Sequence, residues 1–331
     1  GNYERFLDIQ LNRDNYMTTG LVYKTVIEKE RNLEYKGRCV QVVPDIPREV
    51  ISRIKRSVAK NKAEIAIIEI GGTVGEYENI LFLEAVRMLK IENPADVITV
   101  MVSYVPTPSK VGEMKTKPTQ HAVRTLNGTG IQPDFIVARA DKALDEKRKE
   151  KIAVFCNVRT EDVISAPDVE TIYDVPINFE RDHLSDLVLS KLGLKAKKKN
   201  DGTWAKQVKK LKSAKKLLRI GIVGKYFKTG DYVLTDAYIS VIEALKHAGC
   251  AEGAKLELDW LDSTVYEEDP KQVSTLKKYD GILIPGGFES RGIEDKIKVI
   301  EFCRKNKIPY FGLCYGMQLM VIEYARNVLG F

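Results

Sequence analysis

Paired cysteines, histidines and long apolar runs are all scarce in this 331-residue sequence. Its five cysteines, Cys39, Cys156, Cys250, Cys303 and Cys314, are scattered and form no CxxC pair. That argues against a disulfide framework and against a zinc site in a chain of this length, and makes each thiol, taken alone, a small buried side chain. Only three histidines occur, His121, His183 and His247, so an imidazole base has few candidates. No run approaches the roughly 18 apolar residues of a membrane span, and the N-terminal Gly-Asn-Tyr-Glu-Arg-Phe does not read as a signal peptide. A cytoplasmic protein without a membrane partner is expected. No GxxxxGK[ST] phosphate loop is found anywhere in the sequence.

The composition that remains is that of a globular protein. Hydrophobic residues make up 44% and charged residues 30%, which excludes wholesale disorder, and the length suits about two domains. Apolar runs alternate with helical patterns. Ala63–Ile70, Asp96–Val102 and Asp134–Ala138 read as buried strands, and Arg38–Val43 is a short β-branched run. Val50–Lys60, Ile80–Leu89 and Gln120–Asn127 read as helices. Strand–helix alternation with near-continuous apolar strands predicts an α/β fold whose parallel sheet is covered on both faces. After Leu194, the stretch Lys195–Arg219 carries eleven basic residues and one acidic residue, Asp201. Trp204, Val208, Leu211 and Leu218 recur there at helical spacing, which predicts a Lys-rich connector with a basic amphipathic helix. Such a run is ordinarily a solvated face, with membrane-surface or nucleic-acid binding as the alternatives. The net charge of +7 comes from this connector, so the rest of the chain is mildly acidic. A second α/β pattern follows, with strands at Leu218–Val223, Leu256–Leu261, Gly281–Ile284 and Ile308–Leu313 and helices at Asp236–Ala248 and Lys296–Lys305.

The segment Pro309–Gln318 reads PYFGLCYGMQ. A strand ends at Leu313, Cys314 occupies the turn, and Gly312 and Gly316 flank it before a helix opens. This is a nucleophile-elbow pattern with Cys in place of Ser. The glycines permit the sharp turn, and the helix N-terminus favours negative charge on sulfur and offers amide donors. Upstream, Ile284–Phe288 reads IPGGF, where Gly286 and Gly287 offer further N–H groups. Together these segments resemble the class I glutamine amidotransferase domain. The resemblance implies that Cys314 attacks the side-chain amide of glutamine. It also implies that Gly287 and Tyr315 supply oxyanion N–H groups, and that Gly287 and Gln318 help bind glutamine. In that family the catalytic histidine lies downstream of the cysteine, whereas His247 is the last histidine here. The expected domain is therefore C-terminally incomplete.

The N-terminal half carries EIGGTVG at Glu69–Gly75, KTKPTQ at Lys115–Gln120 and KIAVFCNV at Lys151–Val158. A carboxylate ending a buried strand before a glycine turn suits a Walker-B-like metal ligand, Glu69, or else an ion-paired or capping glutamate. Two ammonium groups around a Thr hydroxyl suit a polyphosphate, or else a solvated loop. With NYERF at the start and TDAYISVIEALKHA at Thr235–Ala248, the motifs run through the chain in order, and the chain resembles the CTP synthase family. The implied fold is α/β, with a P-loop-NTPase-like (dethiobiotin-synthetase-like) parallel-sheet domain over residues 1–194 that is N-terminally incomplete. A basic linker over 195–217 and a partial amidotransferase domain over 218–331 follow. The resemblance implies ATP-dependent amination of UTP to CTP with ammonia from glutamine. Lys115, Lys117, Gln120, Lys151, Glu76 and Glu78 would bind UTP, or CTP as product and feedback inhibitor. Arg139 would lie against the ATP adenine and Glu69 would hold Mg²⁺. GTP is implied as allosteric activator, with a homotetramer and filaments as assemblies and no specific nucleic acid as partner. The alternative is a catalytically inactive or filament-forming subunit of the same family. Glu76, Glu289 and Asp295 depart from the family pattern, the last two at glycine positions where a left-handed backbone would strain a side chain.

Overall fold

The structure is a computed structural model that describes all residues except 111, 198–201, 215, 225–227, 230, 231, 234–237, 264, 269 and 288–291, and leaves out the side chains of 228, 229, 232, 233, 267, 268 and 270. The motif start at Thr235–Asp236, the glycine-position residue Glu289, its neighbours Phe288 and Arg291, and Lys198 and Lys199 of the connector lie outside the described residues. Two compact units are formed, Gly1–Asp201 and Gly202–Phe331.

In the first unit, α1 (Asn2–Leu7), α2 (Thr19–Arg31), α3 (Val42–Asn61) and α4 (Ile80–Glu92) precede a three-stranded sheet. That sheet is β1 (Val100–Tyr104), β2 (Phe135–Ala140) and β3 (Val163–Pro167), in spatial order 1-2-3 and all parallel. Parallel neighbours need crossovers, and α5 (Lys117–Gly128) and α6 (Glu146–Cys156) supply them. Ile136 and Ala138 of β2 face a core shared with Val123 and Leu126 of α5 and Ile152 and Ala153 of α6. Phe135, Val137 and Ile164 face the other way, onto Phe179 of α7 (Val175–Arg181) and Leu184, Leu187 and Val188 of α8 (Leu184–Lys191). A separate cluster ties Val22 and Val26 of α2 to Val50 and Ile51 of α3 and Ala85 and Leu89 of α4.

Two expectations are corrected here. Ala63–Ile70 is apolar but forms no strand, and Ile65, Ile67 and Ile68 are exposed. A strand exists through its ladder of hydrogen bonds, and among the described residues none is offered to this run. The sheet is also not covered on both faces throughout. Val100 and Val102 are in register with Phe135 and Val137 and so share their face, yet Val100, Val102 and Tyr104 are exposed because α7 and α8 cover only the β2–β3 part.

The second unit opens with α9 (Thr203–Lys212), whose Val208 is buried and Trp204 and Leu211 half-buried, while Lys206, Lys209, Lys210 and Lys212 face outward. Leu218 belongs not to this stripe but to β4 (Lys216–Gly224). A two-residue pair, β5 (Lys228–Thr229) and β6 (Tyr232–Val233), precedes α10 (Ile239–Ala251) and β7 (Ala254–Asp262). Then come α11 (Val265–Glu268), β8 (Gly281–Ile284), α12 (Ile293–Asn306), β9 (Tyr310–Gly312) and α13 (Tyr315–Asn327). The sheet is parallel, in order 7-4-8-9. Its central strand β8 is buried at every position, as a strand sandwiched between helical layers should be. Buried Glu323 of α13 accepts from Arg304 of α12 at 2.7 Å, and this pairing holds the Glu323 carboxyl below the usual range. Among the described residues no helix is long and apolar enough to cross a membrane.

Candidate functional site

At the end of β9 the backbone reverses at Cys314, with φ 48° and ψ −104°. A non-glycine residue held there carries strain of about 1–3 kcal/mol, which persists only if its surroundings over-determine it. The surroundings are tight. A Cβ on Gly312 would lie 2.4 Å from the Gly316 carbonyl carbon, and one on Gly316 would lie 2.2 Å from the Ile284 oxygen. Both positions therefore admit only hydrogen, and the first turn of α13 is pressed onto the end of β8. The Leu313 N–H donates to the Ile284 oxygen at 2.9 Å and the Gly316 N–H to the Leu313 oxygen at 3.0 Å.

Opposite the elbow, a Cβ on Gly286 would lie 3.4 Å from the Cys314 Cβ and 3.9 Å from its Sγ. The Pro-Gly-Gly loop thus passes directly over the thiol, which is itself exposed. Gly287 follows, Tyr315 is the first residue of α13 and Gln318 stands exposed in its first turn. Cys314, Gly287, Tyr315 and Gln318 therefore fall on two adjoining segments at the C-terminal ends of β8 and β9. Two other thiols differ sharply: burial pushes Cys156 up to about 11 and Cys303 up to about 12, so both are inert near neutral pH. His121 and His183 belong to the first unit and His247 to α10.

Asp295 is not strained. It sits in the first turn of α12, where a carboxylate complements the helix dipole, and the left-handed conformation at that turn is taken by Gly292, φ 77°.

In the first unit Lys115, Lys117 and Gln120 follow the C-terminal end of β1 and Arg139 lies near that of β2, the end of a parallel α/β sheet where ligands are placed. Thr116 and Thr119 are buried at the start of α5, with Thr119 bonded to Ser103 of β1 at 2.9 Å. This anchors the helix start, leaving Lys115 half-exposed and Lys117 exposed, with Gln120 donating to the Thr116 hydroxyl at 3.2 Å. Lys115 pairs with Glu113 at 2.6 Å. That hydrogen bond and the Lys115 charge lower the Glu113 carboxyl, with lesser help from the charges of Arg148 and Lys151. Arg139 ends β2 exposed, 3.6 Å from Asp168.

The glycine turn 71–75 meets α5 two turns beyond its start. A Cβ on Gly75 would touch Thr125 of α5 at 3.1 Å, and Ile70, Val74 and Met114 pack on one core cluster. Glu69, Glu76 and Glu78 are all exposed. Buried Asn79, missed in the sequence, donates its amide to the Gly71 and Thr73 carbonyls at 3.2 and 2.9 Å and so shapes this turn. A single Asn three residues after a glutamate carries no sequence signal of that role. The pairing of Glu113 with Lys115 likewise emerges only from the fold.

Comparison with known proteins extends these observations. Residues 1–194 match the family model for the CTP synthase N-terminus, and residues 233–330 match that for class I glutamine amidotransferase. The chain belongs to the CTP synthase family. It is similar to the CTP synthase of Methanococcoides burtonii, 48% identical over 331 residues, and to that of Carboxydothermus hydrogenoformans, 47% identical over 331 residues; each alignment covers 100% of this chain and 61% of the relative. The chain thus spans about 61% of the length of the curated relatives it matches. A solved Trypanosoma brucei CTP synthase glutaminase domain with bound acivicin aligns at 38% identity over 34% of this chain and 42% of that one, with a TM-score of 0.31.

Family membership raises the question of a metal. Glu69 offers one exposed carboxylate, and among the described residues no three His, Cys, Asp or Glu side chains converge as a metal-holding group. That donor set fits a Mg²⁺ held mainly by nucleotide phosphates and water rather than a closed protein cage.

Proposed function

We propose that the protein converts UTP to CTP, using ATP and ammonia released from glutamine. The observation that carries this reading is the strained Cys314 backbone at the junction of β9 and α13, beneath Gly286. A side chain projected from such a turn is accessible to a substrate, and the helix start behind it offers N–H groups to a developing oxyanion.

In the amidotransferase part, assigned to residues 218–331, the Cys314 sulfur attacks the glutamine amide carbon. The oxyanion forms against the N–H groups of Gly287 and Tyr315, while Gln318 and Gly287 hold the substrate. Collapse expels ammonia and leaves a thioester, which water hydrolyses to glutamate. The base that takes the thiol proton is not among the residues assigned. In the synthetase part, residues 1–194, the γ-phosphoryl group of ATP is transferred to O4 of UTP, converting a poor leaving group into phosphate. Ammonia then attacks C4 and phosphate departs with the C–O bond. Lys115, Lys117 and Lys151 neutralise the UTP triphosphate, as ammonium groups do for phosphates, and Gln120, Glu76 and Glu78 orient the pyrimidine nucleotide. Arg139 stacks on the ATP base. Glu69 would hold Mg²⁺, which supplies charge neutralisation at the phosphates. Residues 195–217 link the two parts. CTP as feedback inhibitor, GTP as activator, and tetramers or filaments complete the reading.

The test uses the full-length protein with two nitrogen sources. Cys314→Ala abolishes CTP formation from glutamine and leaves formation from ammonia intact. Loss of both activities, or retention of the glutamine-dependent one, contradicts the assignment.

A further inference from the structure

The strain at Cys314 needs something to hold it, and the hydrogen bonds of the two flanking residues account for only part of it. The Leu313 N–H fixes the incoming strand to β8, and the Gly316 N–H closes the turn. Both are backbone bonds, and neither ties β9 (Tyr310–Gly312) itself to α13. A third tie does. The Tyr310 hydroxyl donates to the Gly316 carbonyl oxygen at 2.8 Å, spanning the elbow from the strand before it to the helix after it. Tyr310 is in register with Ile282 at the centre of the sheet, and its ring packs against the core of Ile284, Ile300, Cys303 and Leu319. Burial in that core raises its phenol well above the usual tyrosine range, so the group remains a neutral donor at any working pH.

We infer that Tyr310 is a positioning residue for the nucleophile: its hydroxyl locks the Gly316 carbonyl and so holds Cys314 in the strained conformation facing Gly286. The inference rests on the proposed role of Cys314 as the nucleophile toward glutamine. Tyr310 touches no substrate. It acts by keeping the sulfur and the Tyr315 N–H at a fixed separation while charge develops on the substrate oxygen, which is where a small misplacement is costly. The same-shaped side chain without the hydroxyl preserves the core and releases only the tie.

Tyr310→Phe in the full-length protein tests this through the split between kcat and KM for glutamine hydrolysis. The expected result is a kcat lowered by about 3- to 10-fold, the weight of one hydrogen bond. KM for glutamine, CTP formation from ammonia and the thermal unfolding midpoint stay close to wild type. Tyr310→Leu, which removes ring and hydroxyl together, separates packing from tethering. If Tyr310→Phe matches wild type in kcat and only Tyr310→Leu is impaired, the ring alone matters and the assignment is overturned. If Tyr310→Phe lowers glutamine- and ammonia-dependent activities equally, its role is general stability and the assignment is again overturned. A wild-type protein that hydrolyses no glutamine removes the nucleophile reading itself, an outcome visible before any variant is made.

Discussion

The two candidate sites in this chain are built by opposite means. At Cys314 the geometry lies in the backbone: two glycines with no room for a Cβ, one residue in a strained conformation, and a tyrosine tie across the turn. Around Lys115 only the scaffold is buried, through Thr116 and Thr119, while most of the groups suited to a nucleotide are exposed side chains on loops and helix starts. The difference follows from the chemistry asked of each. A nucleophile must be placed against one carbon to within a fraction of an ångström, so its position is fixed before substrate arrives. A triphosphate brings its own charge and draws flexible ammonium groups to itself, so little needs to be set in advance.

The largest effect that would break this contrast is at Gly316. Gly316→Ala places a Cβ 2.2 Å from the Ile284 oxygen, so α13 must move off β8. Overpacking of this kind costs about 1–3 kcal/mol or more. Thermal unfolding of the chain is expected to show a clearly lowered midpoint, with glutamine hydrolysis lost in the full-length protein. An unchanged midpoint would mean that the elbow is looser than its contacts indicate. The first unit should respond differently. Lys115→Ala is expected to weaken UTP binding by about 10- to 100-fold, the range for a charge-assisted contact, without shifting the unfolding midpoint. The smallest effect in the series is at its partner. Glu113→Gln removes the carboxylate that holds Lys115 and is expected to tighten UTP binding about two- to threefold, because an exposed pair of this kind contributes little. Titration calorimetry on the full-length protein reads both changes, and weaker binding in Glu113→Gln would show that Glu113 orients Lys115 rather than competing for it.

How much of this was legible in the sequence depended on whether the feature is local. Gly312-Leu313-Cys314-Tyr315-Gly316 announces its turn because the demand for two glycines is set within five residues. The alternation at α4, α5 and β2 was legible for the same reason, since period and burial coincide there, whereas α6 and β3 went unread. Ala63–Ile70 was misread because apolar composition says what a segment would bury but not which strand will pair with it. The exposed face of β1 was missed because coverage depends on where α7 and α8 pack, some 80 residues downstream. At Asp295 a glycine in the family pattern does not signal a left-handed backbone, which among the described residues of that turn Gly292 adopts. Tyr310 and Asn79 left no trace, since each acts through a backbone carbonyl, and a carbonyl has no letter in the sequence.

The central claim is that the reactive centre of the second unit is preformed and selects one thiol out of five. It is tested most directly by timing the alkylation of each cysteine in the native chain with iodoacetamide, resolved by peptide mass spectrometry. Cys39 and Cys314 are both exposed, whereas Cys156 and Cys303 are buried. Cys314 is expected to react about tenfold or more faster than Cys39, because it alone sits at a helix N-terminus that stabilises its anion in the transition state, with Cys156 and Cys303 protected until unfolding. Equal rates at Cys314 and Cys39 would contradict the account: exposure alone would then explain the reactivity, and the strained turn would confer none.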